Sequence, residues 1–380
     1  SNRLEIDTLH APEVRLRRMP KLKPSLKKGK ILPDFDIRIM RLAVDRLVME
    51  KGVTGQADVL TLNGDADIRD GHALADLTLR SLKGRDSLVL ALICDGHILL
   101  EGVPGLAKTL AIKALARTVK TGFSRVQFTP DLLPADLIGT RIFDPKTSEF
   151  HTHKGPIFSN FVLADEINRA PAKVQSALLE SMEERQITIE HETFKLQEPF
   201  LVLATQNPIE TEGTYTLSEA QVDRFLFKVV VKYPSFEEER HIVRRMGLAE
   251  KTHQVEIIEP VVTADQIISL RGLAREIYVD DKIVEYVLRI VDASRNPEKY
   301  GLQLKSYIRF GASPRASIYL TRAARTRAMV QGRSYVKPDD VKAVMPEILR
   351  HRVIPTYEAE ADDIDSDEIV RRIMEGVAVP

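Results

Sequence analysis

Eight consecutive residues, Gly102-Val103-Pro104-Gly105-Leu106-Ala107-Lys108-Thr109, hold the chain's clearest chemical signal. They follow a short apolar strand pattern, His97 to Leu100, and open a helical pattern, Thr109 to Val119. A glycine-bearing turn between strand and helix aims several backbone N–H groups at one point, which suits phosphate oxygens. In that arrangement the Lys108 ammonium reaches the terminal phosphates and the Thr109 hydroxyl holds Mg²⁺, with Leu110 the next residue of the binding stretch. Ala107 stands where such loops usually carry glycine, so the backbone there must keep a negative φ.

Two carboxylates form the second signal. The apolar run Phe161-Val-Leu-Ala delivers Asp165 and Glu166 to its end. In open α/β sheets that end faces the ligand. Asp165 there would bind Mg²⁺, and Glu166 would orient and deprotonate an attacking water. A third apolar run, Phe200 to Ala204, leads to Thr205-Gln206-Asn207-Pro208. Asn207 can hydrogen-bond that water or the γ-phosphate. Two arginines complete the set: Arg224 in Asp223-Arg-Phe225, and Arg315 in Gly311-Ala-Ser-Pro-Arg315. A guanidinium fits phosphate oxygens as a fork and stays charged. Taken singly, each has a plainer reading: an exposed acidic turn, a turn asparagine before proline, two surface ion pairs.

The elements that must position these residues alternate between strand and helix. Strand patterns cover His97–Leu100, Arg125–Phe128, Phe161–Ala164, Phe200–Ala204 and Leu226–Val231. Helical patterns lie at Thr109–Val119 and after Pro171, where Val174, Ala177, Leu178 and Met182 share a face. Short apolar runs separated by helices predict an α/β fold with a parallel sheet covered on both faces. After Pro234 strand signals fade, apart from Val255–Ile258, and helices are expected over 265–277, 281–293, 314–330 and 338–349, the first capped by Thr263. The domain reading is therefore an extension over 1–72, a nucleotide-binding α/β domain over 73–235 and a helical lid over 236–380.

The extension carries nine basic and three acidic residues in its first thirty, broken by Pro12, Pro20 and Pro24. It reads as an extended arm. Ile37, Met40, Val44, Leu47 and Val48 follow a helical stripe, and the glycine, aspartate and asparagine between Gly52 and Gly71 suggest turns. Seven acidic residues between 358 and 368 read as a solvated linker.

Composition narrows the function. Lysine plus arginine and aspartate plus glutamate both total 55, so bulk charge does not direct the chain to nucleic acid. The single cysteine, Cys94, excludes a disulfide framework and reads as a small core residue. No apolar run approaches the ~18 residues of a membrane span, and the basic start lacks a signal-peptide core, so cytoplasm is the expected compartment. His151 and His153 are spaced like a metal pair but lack a third ligand. Ser159, Ser176 and Ser181 lack the context of a nucleophile.

With these motifs in order, the chain resembles the AAA+ ATPases. The long runs Leu99–Thr109, Ala164–Pro171, Gln175–Arg185, Ala204–Pro208 and Gly311–Arg315 closely resemble the MoxR family within them, over roughly residues 88 to 380. Ala107 is a habit of that family. The resemblance implies a P-loop core with a helical lid, hydrolysis of ATP with Mg²⁺, and the following roles. Gly102 to Thr109 would be Walker A, Asp165 and Glu166 Walker B, and Asn207 sensor 1. Arg224 would be an arginine finger given to the next subunit, Arg315 sensor 2 on the lid, and Arg169 a second candidate for contacts in trans. Ile142–Phe158 would be the helix-2 insertion hairpin and Gln186–Leu196 the pre-sensor hairpin. Members are typically homo-hexameric rings that act as chaperone-like remodelling or maturation factors. They often work with a von Willebrand factor A domain partner, sometimes in cofactor or metal insertion.

The usual Gly-Gln signature near the adenine pocket is missing. Leu82-Lys-Gly-Arg-Asp86 stands in that area, and Gly55-Gln56 is too distant. Two other functions remain open at this point. One is a metal-chelatase or DNA-acting motor of the same clade. The other is a scaffold gated by nucleotide, in which turnover is incidental.

Overall fold

The structure is a computed structural model. It describes six strands within residues 1–81 and then residues 86–380, except 103–107, 208–213, 232, 235, 237–238, 241–242 and 244–258. Side chains are described from Ser87 onward, outside those segments and 108–110. Val255–Ile258, Leu82–Arg85 and Gly55-Gln56 lie outside the described residues. By contacts the chain divides into two compact units, Ser1–Ser87 and Leu88–Pro380.

The first unit is a sheet of six strands: β1 (Arg3–Ile6), β2 (Leu9–Ala11), β3 (Val14–Leu16), β4 (Asp36–Met49), β5 (Asp58–Arg69) and β6 (His72–Ser81). Here two expectations are corrected. The helical stripe of 37–48 is a strand, and most of the turn-like segment 52–71 is β5. The reason lies in the register. β4 pairs antiparallel with β5 and slips by one residue between Ile39 and Leu42, and again between Val44 and Leu47. Each extra residue is a β-bulge. Two bulges stretch a period of two into an apparent helical spacing. β5 itself pairs through its Asn-Gly-Asp centre, with Asn63 opposite Thr78 and Asp65 opposite Asp76, so tertiary pairing overrides the turn propensity of those residues. The boundary expected near residue 72 lies inside the first unit, which runs to Ser87. β6 begins at His72 and pairs along its length with β5.

The second unit is built on five parallel strands: β7 (Ile98–Glu101), β8 (Phe123–Gln127), β11 (Phe161–Asp165), β14 (Leu201–Gln206) and β15 (Phe227–Val230). Their order is β15-β7-β14-β11-β8. Helices α1 (Asp86–Ile93), α2 (Lys108–Thr118) and α3 (Ala172–Glu184) flank them. Alternate residues enter two cores. Ile98, Leu100, Leu163 and Leu203 face one, and Leu99, Val162, Ala164 and Val202 the other. This is why the central strands read as unbroken apolar runs. Truncating such a leucine to alanine costs about 2–5 kcal/mol.

Two hairpins leave the sheet as the resemblance implies: β9 (Gly139–Asp144) with β10 (Glu149–Lys154), and β12 (Gln186–Ile189) with β13 (Glu192–Lys195). The lid holds α4 (Ala264–Glu276), α5 (Asp281–Arg295), α6 (Pro314–Val330), α7 (Pro338–Leu349) and α8 (Ser366–Gly376). Thr263 caps α4, its hydroxyl accepting from the Gln266 N–H. One expectation fails in the lid. The acidic run of 358–368 is no linker: a short helix spans Tyr357–Ala361, Asp365 caps α8 by accepting from the Glu368 N–H, and Glu368 accepts from Arg371 and Arg372. Those arginine partners pull the Glu368 carboxyl down to about 2. Asp365, Asp367 and Glu368 are thus cap and ion-pair groups, while Glu358, Glu360 and Asp363 face solvent as expected.

Candidate functional site

Parallel strands place all their C-terminal ends on one edge of the sheet. β7 leads there into Gly102, whose N–H donates to the Gln206 carbonyl at 3.3 Å. A Cβ on Gly102 would lie 2.6 Å from the Val231 carbonyl oxygen, so only glycine enters the loop this way. Val103, Pro104, Gly105, Leu106 and Ala107 lie outside the described residues. Lys108, Thr109 and Leu110 open α2, as the phosphate-loop reading requires.

Asp165 ends β11 beside this edge. One carboxylate oxygen, Oδ1, accepts from the Thr205 hydroxyl at 2.6 Å. The other accepts from Arg125, at 3.0 Å from Nε and 2.6 Å from Nη2. Thr205 does double duty: its oxygen also accepts from the Glu166 N–H at 2.8 Å. Glu166 itself sits in the left-handed region, φ 57° and ψ 50°, a conformation uncommon outside glycine and asparagine. Its side chain is pinned by Gln127 at 2.7 Å and Arg169 at 2.9 Å. Arg169, expected as a candidate for contacts in trans, thus holds the Glu166 carboxylate within its own chain. Asn207 lies just past β14, buried, on the same edge.

Arg125, Gln127 and Thr205 were not singled out from the sequence. The available signal was polar residues at the C-terminal half of strands whose neighbours are apolar. Register makes it concrete, since Gln127 stands opposite Asp165 and Arg125 opposite Leu163.

These groups fit a magnesium nucleotide. Hard oxygen ligands from a hydroxyl and a carboxylate suit Mg²⁺, and the Asp165 side chain keeps part of its surface open. His151 and His153 are exposed residues of β10.

Arg224 and Arg315 lie at the opposite edge. Arg224 precedes β15, and its guanidinium meets Glu183 at 3.1 Å and the Leu179 carbonyl at 2.9 Å. Arg315 opens α6 and meets Glu183 at 2.8 Å and Asp223 at 3.1 Å. Both line a cleft of about 300 Å³ with Asp95, His97 and Arg185, all at the N-terminal edge of the sheet. Asp223 is the hub of this edge. It accepts from Ser313, Arg315 and Arg352, the last almost wholly buried.

His97, at the base of the cleft, accepts from the Val202 N–H at Nδ1 and reaches the Met182 carbonyl at Nε2, which fixes a neutral ring. Burial, then the charge of Arg185, holds it well below the usual histidine range. Cys94 is buried as expected; burial pushes its thiol up to about 11, and it donates to the Thr326 hydroxyl. It is no nucleophile.

The family model of the ATPase family associated with various cellular activities (AAA) matches residues 97–227, and that of the AAA lid domain matches 303–373. Chaperone MoxR1 of Mycobacterium tuberculosis is 51% identical over 79% of this chain and 80% of its own length. The uncharacterized protein YeaC of Bacillus subtilis is 45% identical, over 82% of this chain and 94% of its own. A crystal structure from Cytophaga hutchinsonii superposes with a TM-score of 0.72 at 47% identity, covering 78% of this chain and 89% of that one.

Proposed function

Because the chain belongs to the MoxR family of AAA+ ATPases and hydrolyses ATP, we propose that it does so in a ring whose active sites form between adjoining copies, and that turnover remodels or matures a client protein. One observation carries this reading. Asp165 and Glu166 stand at one edge of the sheet, and Arg224 and Arg315 at the other. A strand of four residues such as β7 spans ~13 Å. On this reading a triphosphate held by Gly102 to Thr109 at the first edge would meet a neighbour's arginines rather than those of its own chain.

Bound Mg²⁺–ATP supplies the electrophilic γ-phosphorus and a leaving diphosphate. Loop backbone, Lys108 and Leu110 would hold the phosphates, and Thr109 and Asp165 would hold the metal. Glu166 orients the water and takes its proton, while Asn207 fixes the water's direction. Arg224 and Arg315 of the adjoining copy neutralise developing charge on the transferred group. Catalysis of this kind is mostly positional and electrostatic. The lid carries Arg315 and contacts Asp223, so closure at one site is passed to the loop that serves the next.

A homo-hexamer suits this heterologous contact. The client is a protein, with a von Willebrand factor A domain protein as its companion and cofactor or metal insertion as one outcome. The test is phosphate release at rising protein concentration. Specific activity rises with concentration as rings form. Glu166→Gln keeps nucleotide affinity and loses about 10²-fold or more in turnover. Near-normal turnover in that variant removes Glu166 as the base.

A further inference from the structure

A second, narrower cleft lies beside the arginine cleft, between α4 and α6 and against the end of α1. Its volume is about 40 Å³, and Arg271 and Arg275 from α4 and Arg322 and Arg325 from α6 line it, with Asp95 at its border. Within each pair the arginines are spaced three or four apart, which stacks them on one face of each helix.

The charges there do not balance. The Arg271 side chain is only 4% exposed, and it is the reason to expect a ligand. Its Nε donates to the Leu92 carbonyl at 3.0 Å and its Nη1 lies 2.7 Å from Asp95. Its Nη2 is buried with no hydrogen-bond partner among the described residues, as is Nε of Arg325. Asp95 is shared with Arg185 at 3.0 Å, and Glu198, mostly exposed, stands off at 3.8 Å from Arg271. A buried donor on a charged group is costly to leave unpaired. Burial lowers the Arg271 pKa, and the charges of Arg185 and Arg322 act in the same direction while Asp95 and Glu198 oppose them.

Arg322 donates to the Cys94 carbonyl, but four guanidinium groups facing only the shared Asp95 and the distant, exposed Glu198 still call for an anion of more than one charge. Arginine forks match tetrahedral oxyanions. The space admits such a head group; a nucleoside needs a pocket several times larger. We propose that this cleft binds a phosphate-class oxyanion, either inorganic phosphate or the terminal phosphoryl group of a diphosphate, on Arg271, Arg275, Arg322 and Arg325. Asp95 borders both clefts, so the anion competes with Asp95 for Arg271 and is felt beside Arg224 and Arg315.

The test reads anion binding rather than ATP turnover, so its failure leaves the ATPase reading untouched. Inorganic phosphate and pyrophosphate are titrated calorimetrically into the full chain carrying Lys108→Ala, which weakens the phosphate loop. One anion per chain is expected. Saturation by phosphate identifies free phosphate as the ligand, and binding of pyrophosphate alone identifies a diphosphate terminus. Adding Arg275→Ala and Arg325→Ala, at exposed and half-buried positions, weakens binding about tenfold or more. Adding Arg224→Ala and Arg315→Ala instead does not. Three results overturn the proposal: no binding of either probe, binding unaffected by loss of Arg275 and Arg325, or dissociation of the oligomer by that loss, which makes the cleft a socket for a second copy's carboxylate.

Discussion

Arg224 and Arg315 meet on one carboxylate, that of Glu183, at 3.1 and 2.8 Å. Ninety-one positions separate them in sequence, and one belongs to the sheet unit's last loop while the other opens a lid helix. Their convergence makes a single cationic cleft at the edge of the sheet remote from Asp165. It also explains how two arginines sit side by side without strong repulsion: Glu183 pairs with both, and Asp223 also pairs with Arg315.

If both arginines serve a neighbour, Arg224→Ala binds ATP and turns over 10³–10⁵-fold more slowly even when assembled, the magnitude typical of arginine fingers. Mixing that variant with Glu166→Gln partly restores phosphate release, because each supplies what the other lacks. Absence of rescue in rings shown to contain both chains counts against action in trans.

The hold on Asp165 is open to a separate test. Thr205→Val removes the hydroxyl that donates to Asp165 and accepts from the Glu166 N–H, with little change of volume. Supporting residues of this kind are worth about 10–100-fold in metal affinity or activity. The expected result is a Mg²⁺ requirement shifted upward by that factor in a titration of steady-state turnover, alongside a stability loss of about 1–3 kcal/mol from the unpaired Glu166 N–H. Arg125→Ala should act in the same direction.

Arg352 ties the lid to the loop of Arg224. Its side chain is 1% exposed, and it reaches Asp223 at 2.7 Å and the carbonyl oxygens of Asp223 and Phe225. Breaking a buried pair by removing one partner costs about 3–5 kcal/mol. Arg352→Met should lose that much in urea unfolding; a loss below about 1 kcal/mol would show that the lid does not depend on this contact.

Two buried histidines give the fold an acid limit. Burial holds His97 and His351 well below the ordinary range, with Arg185 and Arg352 respectively adding to the effect. Unfolded, each takes a proton near pH 6.5; folded, neither does until the pH is much lower. Their contribution is therefore complete above about pH 6.5 and is lost as the pH falls toward the folded-state values. The slope is up to about 1.4 kcal/mol per pH unit for each histidine. Denaturant midpoints measured between pH 7.5 and 5.5 should fall, and His97→Gln should flatten the dependence. An unchanged slope would mean that His97 is protonated in the folded state.

The sequence by itself determined the chemistry that short stretches carry. Loop, acidic strand end and the asparagine past β14 were legible because each is a local pattern of apolar run followed by functional residues. The three central strands and the main lid helices were legible for the same reason: a strand buried on both faces reads as an apolar run, and a packed helix repeats its apolar face, whereas the edge strands β8 and β15 carry Arg125, Gln127 and Lys228. Tertiary structure decided what depends on register and on distance along the chain. Two bulges in β4 turned a strand's alternation into a helix-like spacing. Parallel pairing of β8, β11 and β14 brought Arg125, Gln127 and Thr205 to Asp165 and Glu166 from about forty residues away on either side. The docking of the lid joined Arg315 to Arg224, and left Arg271 buried beside three other arginines. No local pattern encodes such meetings, because a guanidinium two or three turns into a helix looks the same in sequence whether it ends in water, on a carboxylate or facing an anion.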